Sequence, residues 1–542
     1  MSSELHDPVT KYIVIGSGPA AIAATQGIVA QGHQVTILDV GTRLDPKRQQ
    51  AVDRMSVQDP EAWNPEDLAS ITGNRVATKE AIHSKQVYGS AFTFDQRDSA
   101  VDVRWAKQTG FNHSLARGGL SNVWGSAMLP YAQADIADWP INLTDLEPHY
   151  RAIMDFVPCT NSTAELEALL PSYSSQQNSI KLSEQGAALL NDLDQCGSDL
   201  KADGIFHGPA RLAIRASGSD RHRECEYCAL CLSGCPYGLI YSSAQTLQDL
   251  IEAGKVTYFA DHFIETVHST TDTVTVRGRN LSTGRSFSIE AGRVFIGAGV
   301  LPSAKIVLAS LQRFDVPIKL LDSQYFIYPL LRVKGAANIE NERMHTTSQL
   351  FMEISDESIS RHLVHLQIYG YSTFLHGELM RTFLKWPLRI RTFRRWFLSR
   401  LMIAQGFIHS HDSGGVELVL KKDDTGKTHL AATAQPSTHA LATVLRVGWM
   451  LVKNALRLRT LPLLPGLQFP KPGSGYHSGG TFPMRENPGQ LESDILGRLP
   501  AWDRIHLVDS SVFPSIPATS ITMSIMANAH RIATQACMLD GL

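Results

Sequence analysis

Residues 11–41 read KYIVIGSGPAAIAATQGIVAQGHQVTILDVG: a short β-rich run, a glycine turn, a helical pattern of small residues and a second β-rich run. Gly16 permits the tight turn, Gly18 lets the backbone approach a pyrophosphate, and Ala21 allows the helix to pack closely on the strand. Asp39 ends the second β run, where its carboxylate can accept a hydrogen bond from an adenosine ribose. The stretch therefore predicts a dinucleotide-binding βαβ unit with the pyrophosphate at the helix N-terminus.

Two distant segments extend this predicted domain. Residues 294–308, VFIGAGVLPSAKIVL, place a β-rich run before Ala298 and Gly299 and then resume as a helix. Near the C-terminus the sequence predicts a strand that ends at Asp509, a loop with two prolines and an amphipathic helix. Asp509 suits either a ribityl or phosphate contact or a plain helix cap. A domain assembled from such distant pieces is easier to reconcile with a buried flavin than with an exchanging nicotinamide.

The composition excludes several classes of protein. The 542-residue chain is 43% hydrophobic and 19% charged, as in a well-packed enzyme of roughly two to four compact units. Its net charge of -2 provides no field that would favour nucleic acid. No apolar run approaches the roughly 18 residues of a spanning helix, and no signal peptide is recognisable. We expect a cytoplasmic protein, unless a partner with an export signal carries it across a membrane.

Five segments, in order, resemble the glucose–methanol–choline (GMC) oxidoreductases, FAD enzymes that oxidise alcohols and sugars. The segments are GSGPAA, ARGGLSNVWGSAM, DWPINLTDLEPHY, FIGAGVLPSAKIVLAS, and YHSGGTFPM joined to LGRLPAWDRIHLVDSSVFPSIPATSIT. The resemblance implies an α/β chain (α+β overall) with a discontinuous Rossmann-like FAD-binding domain and an antiparallel-sheet substrate domain, the GMC or p-hydroxybenzoate-hydroxylase-like arrangement. The expected boundaries give FAD-binding parts at 1–150, 236–322 and 468–542, a helical lid segment at 151–235 and a substrate domain at 323–467.

The segment ARGGLSNVWGSAM (116–128) is the second expected flavin contact. Its paired glycines and its aromatic residue suit a loop that brings backbone close to a flat ring and its phosphates. The resemblance implies cofactor contacts at Gly118, Gly119, Ser121, Asn122 and Trp124. Taken alone, the same residues would fit a turn that caps a helix, with Trp124 in an ordinary core.

The candidate catalytic base is a histidine near the C-terminus. Oxidation of an alcohol by hydride transfer to flavin N5 requires a base that takes the hydroxyl proton. His477, in YHSGGTFPM, occupies the position of the family's catalytic histidine. The family's second histidine or asparagine falls here on Ala518, Thr519 or Ser520, and a hydroxyl can still bond an alkoxide. We therefore take Thr519 as the first candidate for that role and Ser520 as the second.

Four cysteines in eleven residues form the other candidate site. The spacing of Cys225, Cys228, Cys231 and Cys235, followed by proline, is that of bacterial ferredoxins, in which the fourth cysteine usually serves another cluster. The run suits a three-iron cluster, or a four-iron cluster if Cys235 bends back or Cys159 joins. Structural zinc, a disulfide pair and plain thiols packed in a glycine turn are the alternatives.

The segment CLSGCPYGLIY also resembles that of bacterial GMC dehydrogenases of fructose and glucose, which carry a three-iron cluster beside the FAD. This resemblance implies a dehydrogenase that passes electrons to a quinone, a cytochrome or a small redox protein. The expected function is oxidation of a CH–OH group on a sugar or sugar derivative. A long-chain or steroid alcohol oxidoreductase and a redox-silent flavoprotein lyase are the alternatives.

The predicted substrate domain contains β runs at 348–354, 363–369 and 416–420, and KKDDTGK after the last run predicts a hairpin. Inserted in this domain is LMRTFLKWPLRIRTFRRWFLSRLM (379–402), which has seven Lys or Arg, five aromatics and no acids. It predicts either an interfacial helix on an anionic inner membrane face or an amphipathic helix packed on its own domain.

Overall fold

The protein is represented by a computed structural model. It describes residues 10–72, 86–94, 100–106, 110, 113–161, 163–218, 223–337, 339, 341–372 and 391–539. Residues 379–390 of the predicted basic helix lie outside these ranges.

A mixed sheet forms the centre of the N-terminal half and takes its strands from three distant parts of the chain. They are β1 (Thr10–Ile15), β2 (Val35–Leu38), β5 (Val256–Phe259), β6 (His262–Ser269), β7 (Val274–Asn280), β8 (Ser286–Ile296) and β18 (Ile505–Leu507). The order is β5-β2-β1-β8-β7-β6, with β18 also on β8. Strand β1 runs parallel to β2 and β8, as the βαβ pattern predicts. Strand β18 ends at Leu507, two residues before the predicted end at Asp509.

Two further sheets, mostly antiparallel, complete the described strands. The second sheet has the order β16 (Thr460–Pro462), β10 (Tyr325–Arg332), β13 (Leu401–Phe407), β12 (Val364–Tyr369), β11 (Leu350–Ile354), β4 (Ile205–Pro209). The third has the order β17 (Ser478–Gly479), β9 (Pro317–Asp322), β14 (Gly415–Lys422), β15 (Thr428–Gln435), β3 (Val103–Trp105). Strands β14 and β15 form the hairpin that KKDDTGK predicts. The mixed α/β class expected from the sequence is confirmed.

Helices cover the sheets and fill the connections. In the described residues they are α1 (Pro19–Ala30), α2 (Pro46–Ser56), α3 (Pro65–Thr72), α4 (Leu143–Met154), α5 (Ala164–Leu169), α6 (Glu184–Asp194), α7 (Gly197–Ala202), α8 (Ser243–Glu252), α9 (Val300–Ser310), α10 (Arg391–Leu398), α11 (Ala440–Lys453), α12 (Ala455–Leu458) and α13 (Ile521–Leu539). None of them combines the length and apolar character that a membrane-spanning segment requires.

The packing of α1 against α13 joins the N-terminal βαβ unit to the C-terminal residues. A Cβ on Gly27 of α1 would lie 2.9 Å from the carbonyl oxygen of His530, so glycine allows the two helices to approach closely. Most of α13 is buried, and it follows directly on the loop that contains Thr519 and Ser520. This contact brings residues more than 480 positions apart to one side of the first sheet.

Candidate active site

A cavity of about 690 Å³ is lined by residues from all three sheets. One wall, here called the nucleotide-like wall, consists of the turns that follow β1, β2 and β8. It includes Gly16, Gly18, Asp39, Ala298 and Gly299. The opposite wall carries polar and aromatic side chains, which are Tyr325, Gln367, Tyr369, Gln405, Phe407, Tyr476 and His477. The cavity is large enough for a substantial ligand and presents glycine backbone on one side and hydrogen-bonding groups on the other.

The turn after β1 has the geometry that its sequence suggests. Gly16 has φ +99°, and a Cβ there would lie 2.7 Å from the carbonyl oxygen of Gly297. A Cβ on Gly297 would in turn lie 3.0 Å from Ala21. Gly18 differs from both, since a Cβ there would meet nothing within 4 Å and the residue lines the cavity. The N-terminus of α1 therefore has open space into which an anion fits.

Asp39 follows β2 and is buried on the cavity wall. Its Oδ2 accepts hydrogen bonds from the Ser17 hydroxyl and from the Tyr258 hydroxyl, the latter at 3.0 Å. Burial raises the pKa of Asp39 to about 6, against the lowering effect of these hydrogen bonds. The carboxylate is thus mostly ionised at neutral pH and can accept a further hydrogen bond, as a ribose contact requires.

Only some of the predicted cofactor contacts in the segment 116–124 line the cavity. Gly119, Ser121 and Trp124 line the cavity, and a Cβ on Gly119 would lie 3.1 Å from the Cα of Gly18. Gly118, at φ +89°, and Asn122 hold the loop in shape instead, because the Asn122 amide donates to two carbonyl oxygens of the same loop. The direct cofactor contacts of Gly118 and Asn122 stay predictions.

Asp509 connects two turns of the nucleotide-like wall. Its Oδ2 accepts hydrogen bonds from the backbone N–H of Gly299, at 2.9 Å, and from the hydroxyl of Ser303, at 2.5 Å. Its Oδ1 accepts from the backbone N–H of Ser511 at 3.0 Å, so the residue also caps the short turn that follows. Asp509 lines the cavity, and burial raises its pKa. Both interpretations of this residue are therefore compatible with its position.

His477 lies on the opposite wall, immediately before β17. Its ring stacks on Phe407, with centroids 4.5 Å apart and an interplanar angle of 21°. Its Nδ1 is buried without a hydrogen-bond partner. Burial, helped by the nearby His365, lowers the pKa of His477 to about 3. The imidazole is thus held neutral beside the cavity, in the form that can accept a proton.

Comparison with solved structures identifies the architecture. Pyridoxine 4-oxidase from Mesorbium loti is 13% identical and superposes with a TM-score of 0.59 over 97% of this chain and 99% of its own. A formate oxidase structure is 14% identical, with a TM-score of 0.61 over 99% of this chain and 100% of its own. A formate oxidase variant from Aspergillus oryzae RIB40, solved to study FAD modification, is 14% identical. It superposes with a TM-score of 0.60 over 99% of this chain and 100% of its own.

The chain has the fold of the GMC oxidoreductases. No protein-family model and no curated protein matches the sequence itself. The resemblance described above from five short segments is therefore confirmed by the fold over nearly the whole chain. In this GMC fold, the glycine turns, Asp39 and the open space at Gly18 lie together on one wall of the cavity.

A buried hydrogen-bond chain that sequence reasoning missed lies behind the second wall of this GMC fold. The Tyr369 hydroxyl donates to Gln367 Oε1 at 2.9 Å, and the Gln367 amide nitrogen lies 3.2 Å from His365 Nε2. His365 Nδ1 lies 2.7 Å from Glu353 Oε1. Since the amide must donate to Nε2, the proton of His365 resides on Nδ1 and is directed at Glu353. Each link fixes the orientation of the next, up to Tyr369 at the cavity.

The two predicted hydroxyl candidates occupy different positions in this GMC fold. Thr519 is fully buried, its hydroxyl donates to the carbonyl oxygen of Pro130 at 3.4 Å, and it is not on the cavity wall. Ser520 lines the cavity, although its hydroxyl donates to Ala127 at 2.7 Å. Ala518 packs beside Tyr369 and Phe407. The geometry therefore favours Ser520 over Thr519. It also places Tyr369, which the sequence did not suggest as a candidate, on the cavity wall.

The cysteine segment approaches the cavity but does not form a single-ion site. Leu232, between the third and fourth cysteines, lines the cavity. All four thiols are free, and no three of these described sulfurs lie within 4.8 Å of one another, as a zinc site requires. Burial raises the pKa of Cys225 to about 12 and that of Cys235 to about 11. The residues as placed do not fit zinc, and an iron–sulfur cluster stays a prediction.

Proposed function

We propose that the chain is an FAD-dependent oxidoreductase that oxidises the CH–OH group of a sugar or sugar derivative. The observation that carries the proposal is the neutral His477, whose Nδ1 is buried without a partner beside a cavity with a dinucleotide-type opposite wall. The residues that would hold FAD are Gly16, Gly18, Ala21, Asp39, Gly118, Gly119, Ser121, Asn122, Trp124, Ala298, Gly299 and Asp509.

When bound, FAD supplies an acceptor for a hydride, and the chain supplies the proton chemistry. His477 takes the hydroxyl proton of the substrate, because its ring is neutral and the residue lines the cavity. Its stacking on Phe407 fixes the plane of the ring. Tyr369 stays protonated, since burial raises its pKa. Its proton is donated to Gln367 Oε1, so its oxygen can accept a hydrogen bond from a substrate hydroxyl.

The second wall supports a hydroxyl-rich substrate. Gln367 and Gln405 are paired across β12 and β13, and both line the cavity together with Tyr325 and Tyr369. Tyr369 and Gln367 already bond within the chain, so Gln405 and Tyr325 are the groups that a long-chain alcohol would leave unpaired, at a cost of about 1–3 kcal/mol each. We therefore favour a sugar over a steroid or long-chain alcohol.

An anaerobic titration tests the proposal. The purified protein is expected to contain one FAD per chain, and the flavin absorbance should bleach with one or more members of a sugar panel. A flavin that no alcohol reduces would instead support a redox-silent lyase. Iron and acid-labile sulfide, measured in the same preparation, test the predicted cluster and with it the dehydrogenase interpretation. Reoxidation of the reduced flavin by oxygen or by a quinone distinguishes an oxidase from a dehydrogenase.

The Tyr369→Phe variant tests the hydroxyl that faces the substrate. We expect the rate of flavin reduction to fall about fivefold, because one hydrogen bond of roughly 1 kcal/mol is lost while FAD binding is unaffected. Stopped-flow measurement at saturating substrate is the readout. Tyr328→Phe is the matched control, since the Tyr328 hydroxyl donates to Val444 and does not line the cavity. Equal losses in the two variants would contradict a role for Tyr369.

A further inference from the structure

A cluster of three histidines lies outside the candidate active site. His362, His409 and His411 each place one ring nitrogen within 4.8 Å of the other two. His362 precedes β12, and the other two follow β13. In the antiparallel β12–β13 pairing His365 lies opposite Phe407. If this register is extended beyond the start of β12 and the end of β13, His362 falls between His409 and His411. The cluster is thus a consequence of strand register.

The separation of two of these nitrogens matches that of metal ligands. His362 Nε2 and His411 Nδ1 lie 3.3 Å apart. Two imidazole nitrogens bound at about 2.0–2.1 Å to one tetrahedral zinc are about 3.3 Å apart. The rings of His362 and His409 are stacked, with centroids 3.7 Å apart and an interplanar angle of 13°. An imidazole binds a metal in its ring plane, so the His409 ring has to turn before it can share an ion with His362.

Each of these histidines has an oxygen acceptor behind its other nitrogen. Asp135 Oδ1 lies 3.6 Å from His362 Nδ1, and Asp138 Oδ2 lies 3.5 Å from His411 Nε2. His409 Nε2 donates to the backbone carbonyl oxygen of Asp135 at 3.2 Å. Such an acceptor fixes the tautomer of a metal-ligating histidine and leaves its other nitrogen free to bind. Only His409 has that hydrogen bond formed here, and the two carboxylates would have to move closer to orient His362 and His411.

Two buried polar atoms also lack partners at this cluster. Asp135 is completely buried, yet its Oδ2 has no hydrogen-bond partner, and the Nδ1 of His362 is buried without one as well. The cluster is open to solvent on the other side, since the His411 side chain is 47% exposed. An ion can therefore enter from the surface, and a cation would offset the charge of the buried carboxylate.

We propose that His362, His409 and His411 bind a divalent transition-metal ion, with zinc as the best match to a three-imidazole set. His362 Nε2, His411 Nδ1 and His409 Nδ1 are the ligands, and water occupies the fourth position. His409 Nδ1 now accepts a hydrogen bond from the His411 backbone at 3.1 Å, and ligation replaces that bond. The ion would join the starts of the connections into β12 and out of β13, two strands that line the cavity.

Equilibrium dialysis of the flavin-loaded full chain against zinc chloride tests the site. Wild type is expected to retain one more zinc per chain than His362→Ala/His411→Ala, and zinc should raise the Tm of wild type only. Variants Cys225→Ser/Cys228→Ser/Cys231→Ser and His439→Ala serve as controls for thiols and for an exposed histidine. If the double variant does not fold, His411→Ala alone is expected to bind zinc at least tenfold more weakly.

Cobalt(II) substitution identifies the ligand type. The expected spectrum has visible bands of a four-coordinate nitrogen and oxygen site without thiolate charge transfer, and these bands should be absent from His411→Ala. Retention of equal zinc by wild type and the histidine variants would overturn the proposal, as would a cobalt spectrum dominated by thiolate. Binding here and flavin reduction are separate readouts, so failure of one leaves the other interpretable.

A different observation supports a second proposal, which concerns an exposed apolar surface. On α11, Leu441, Leu445 and Trp449 follow one another at helical spacing and are 47%, 42% and 64% exposed. Leu456 and Leu461 extend the surface along the chain, at 84% and 48% exposed. Isolated exposed apolar residues are ordinary, but a continuous stripe of this kind marks an interaction site.

Basic residues flank this stripe along the chain, and two of them, Lys453 and Arg457, are paired with Asp203. No acidic residue occurs between Asp424 and Glu486, whereas Arg446 and Arg459 lie among the apolar residues. Val333 and Trp396, 63% and 47% exposed, bring the surface towards α10. The backbone N–H of Val333 donates to Arg459 at 2.9 Å, which makes the two parts continuous. In α10, Phe397 and Leu398 are buried in the chain's own core, so the described part of the basic segment packs as an ordinary amphipathic helix.

We infer that the α11 stripe, rather than a separate basic helix, contacts an anionic lipid surface. Exposed leucine and tryptophan would enter the headgroup boundary while the arginines contact lipid phosphates. In flotation with phosphatidylglycerol-containing vesicles, wild type is expected to co-float, and Leu445→Ser/Trp449→Ser should lose at least tenfold in bound fraction. Val57→Ser, at the exposed residue that follows α2, is the matched control. Equal flotation of all variants, or a loss of self-association instead of lipid binding, would overturn this inference.

Discussion

Replacing His477 by alanine is expected to leave FAD bound and to slow flavin reduction by substrate about 10²–10⁴-fold, the usual contribution of a general base. The loss follows from geometry, because His477 lines the cavity and the Nδ1 of its ring has no hydrogen-bond partner within the described residues. The ring also packs against Phe407, but that contact is on the wall and not at the nucleotide turns. Anaerobic stopped-flow spectroscopy of the flavin is the measurement.

The pH dependence sharpens this test. Burial lowers the pKa of His477 to about 3, so the folded protein keeps the imidazole neutral throughout pH 5–8. Protonation of this base should therefore not slow flavin reduction in wild type as the pH is lowered from 8 to 5. His439→Ala, at an exposed histidine, is the control for loss of an imidazole. Normal flavin reduction in His477→Ala would remove His477 as the base.

Local sequence patterns predict the nucleotide-like wall well. The GSGPAA turn, Asp39 and the GAG turn after β8 are each specified by a few adjacent residues whose steric demands are visible in the sequence. Gly16 at positive φ and the close contact of Gly297 with Ala21 are direct examples. The hairpin at KKDDTGK is of the same kind, because a turn and two flanking strands suffice to define it.

The second wall could not be derived in the same way. Gln367 and Tyr369 lie in a strand that is buried throughout, so no alternation indicates which side chains face the cavity. Their role depends on the pairing of β12 with β13, which joins segments about forty residues apart. The histidine cluster has the same origin. Thr519 and Ser520 are adjacent in the sequence, and the path of the backbone in the folded chain places Ser520, and not Thr519, on the cavity wall.

The Gly16→Ala variant is expected to lose both stability and flavin, and it shows how closely the fold and the site are connected. An added Cβ lies 2.7 Å from the Gly297 carbonyl oxygen, and Gly297 cannot retreat because Ala21 lies behind it. The φ of +99° adds strain of about 1–2 kcal/mol, and the overlap adds about 1–3 kcal/mol. Urea unfolding and FAD content of the purified variant are the measurements.

Two matched glycine variants separate these effects. Gly32→Ala has φ +82° with nothing within 4 Å of the added Cβ, so it should cost only the backbone strain. Gly18→Ala has an ordinary φ and an open surrounding, so the free energy of unfolding should hardly change, while the new methyl group enters the space expected for the pyrophosphate and weakens FAD binding. If Gly18→Ala binds FAD as tightly as wild type, the pyrophosphate does not lie at the N-terminus of α1. If Gly16→Ala is no less stable than Gly32→Ala, the contact with Gly297 does not stabilise the fold.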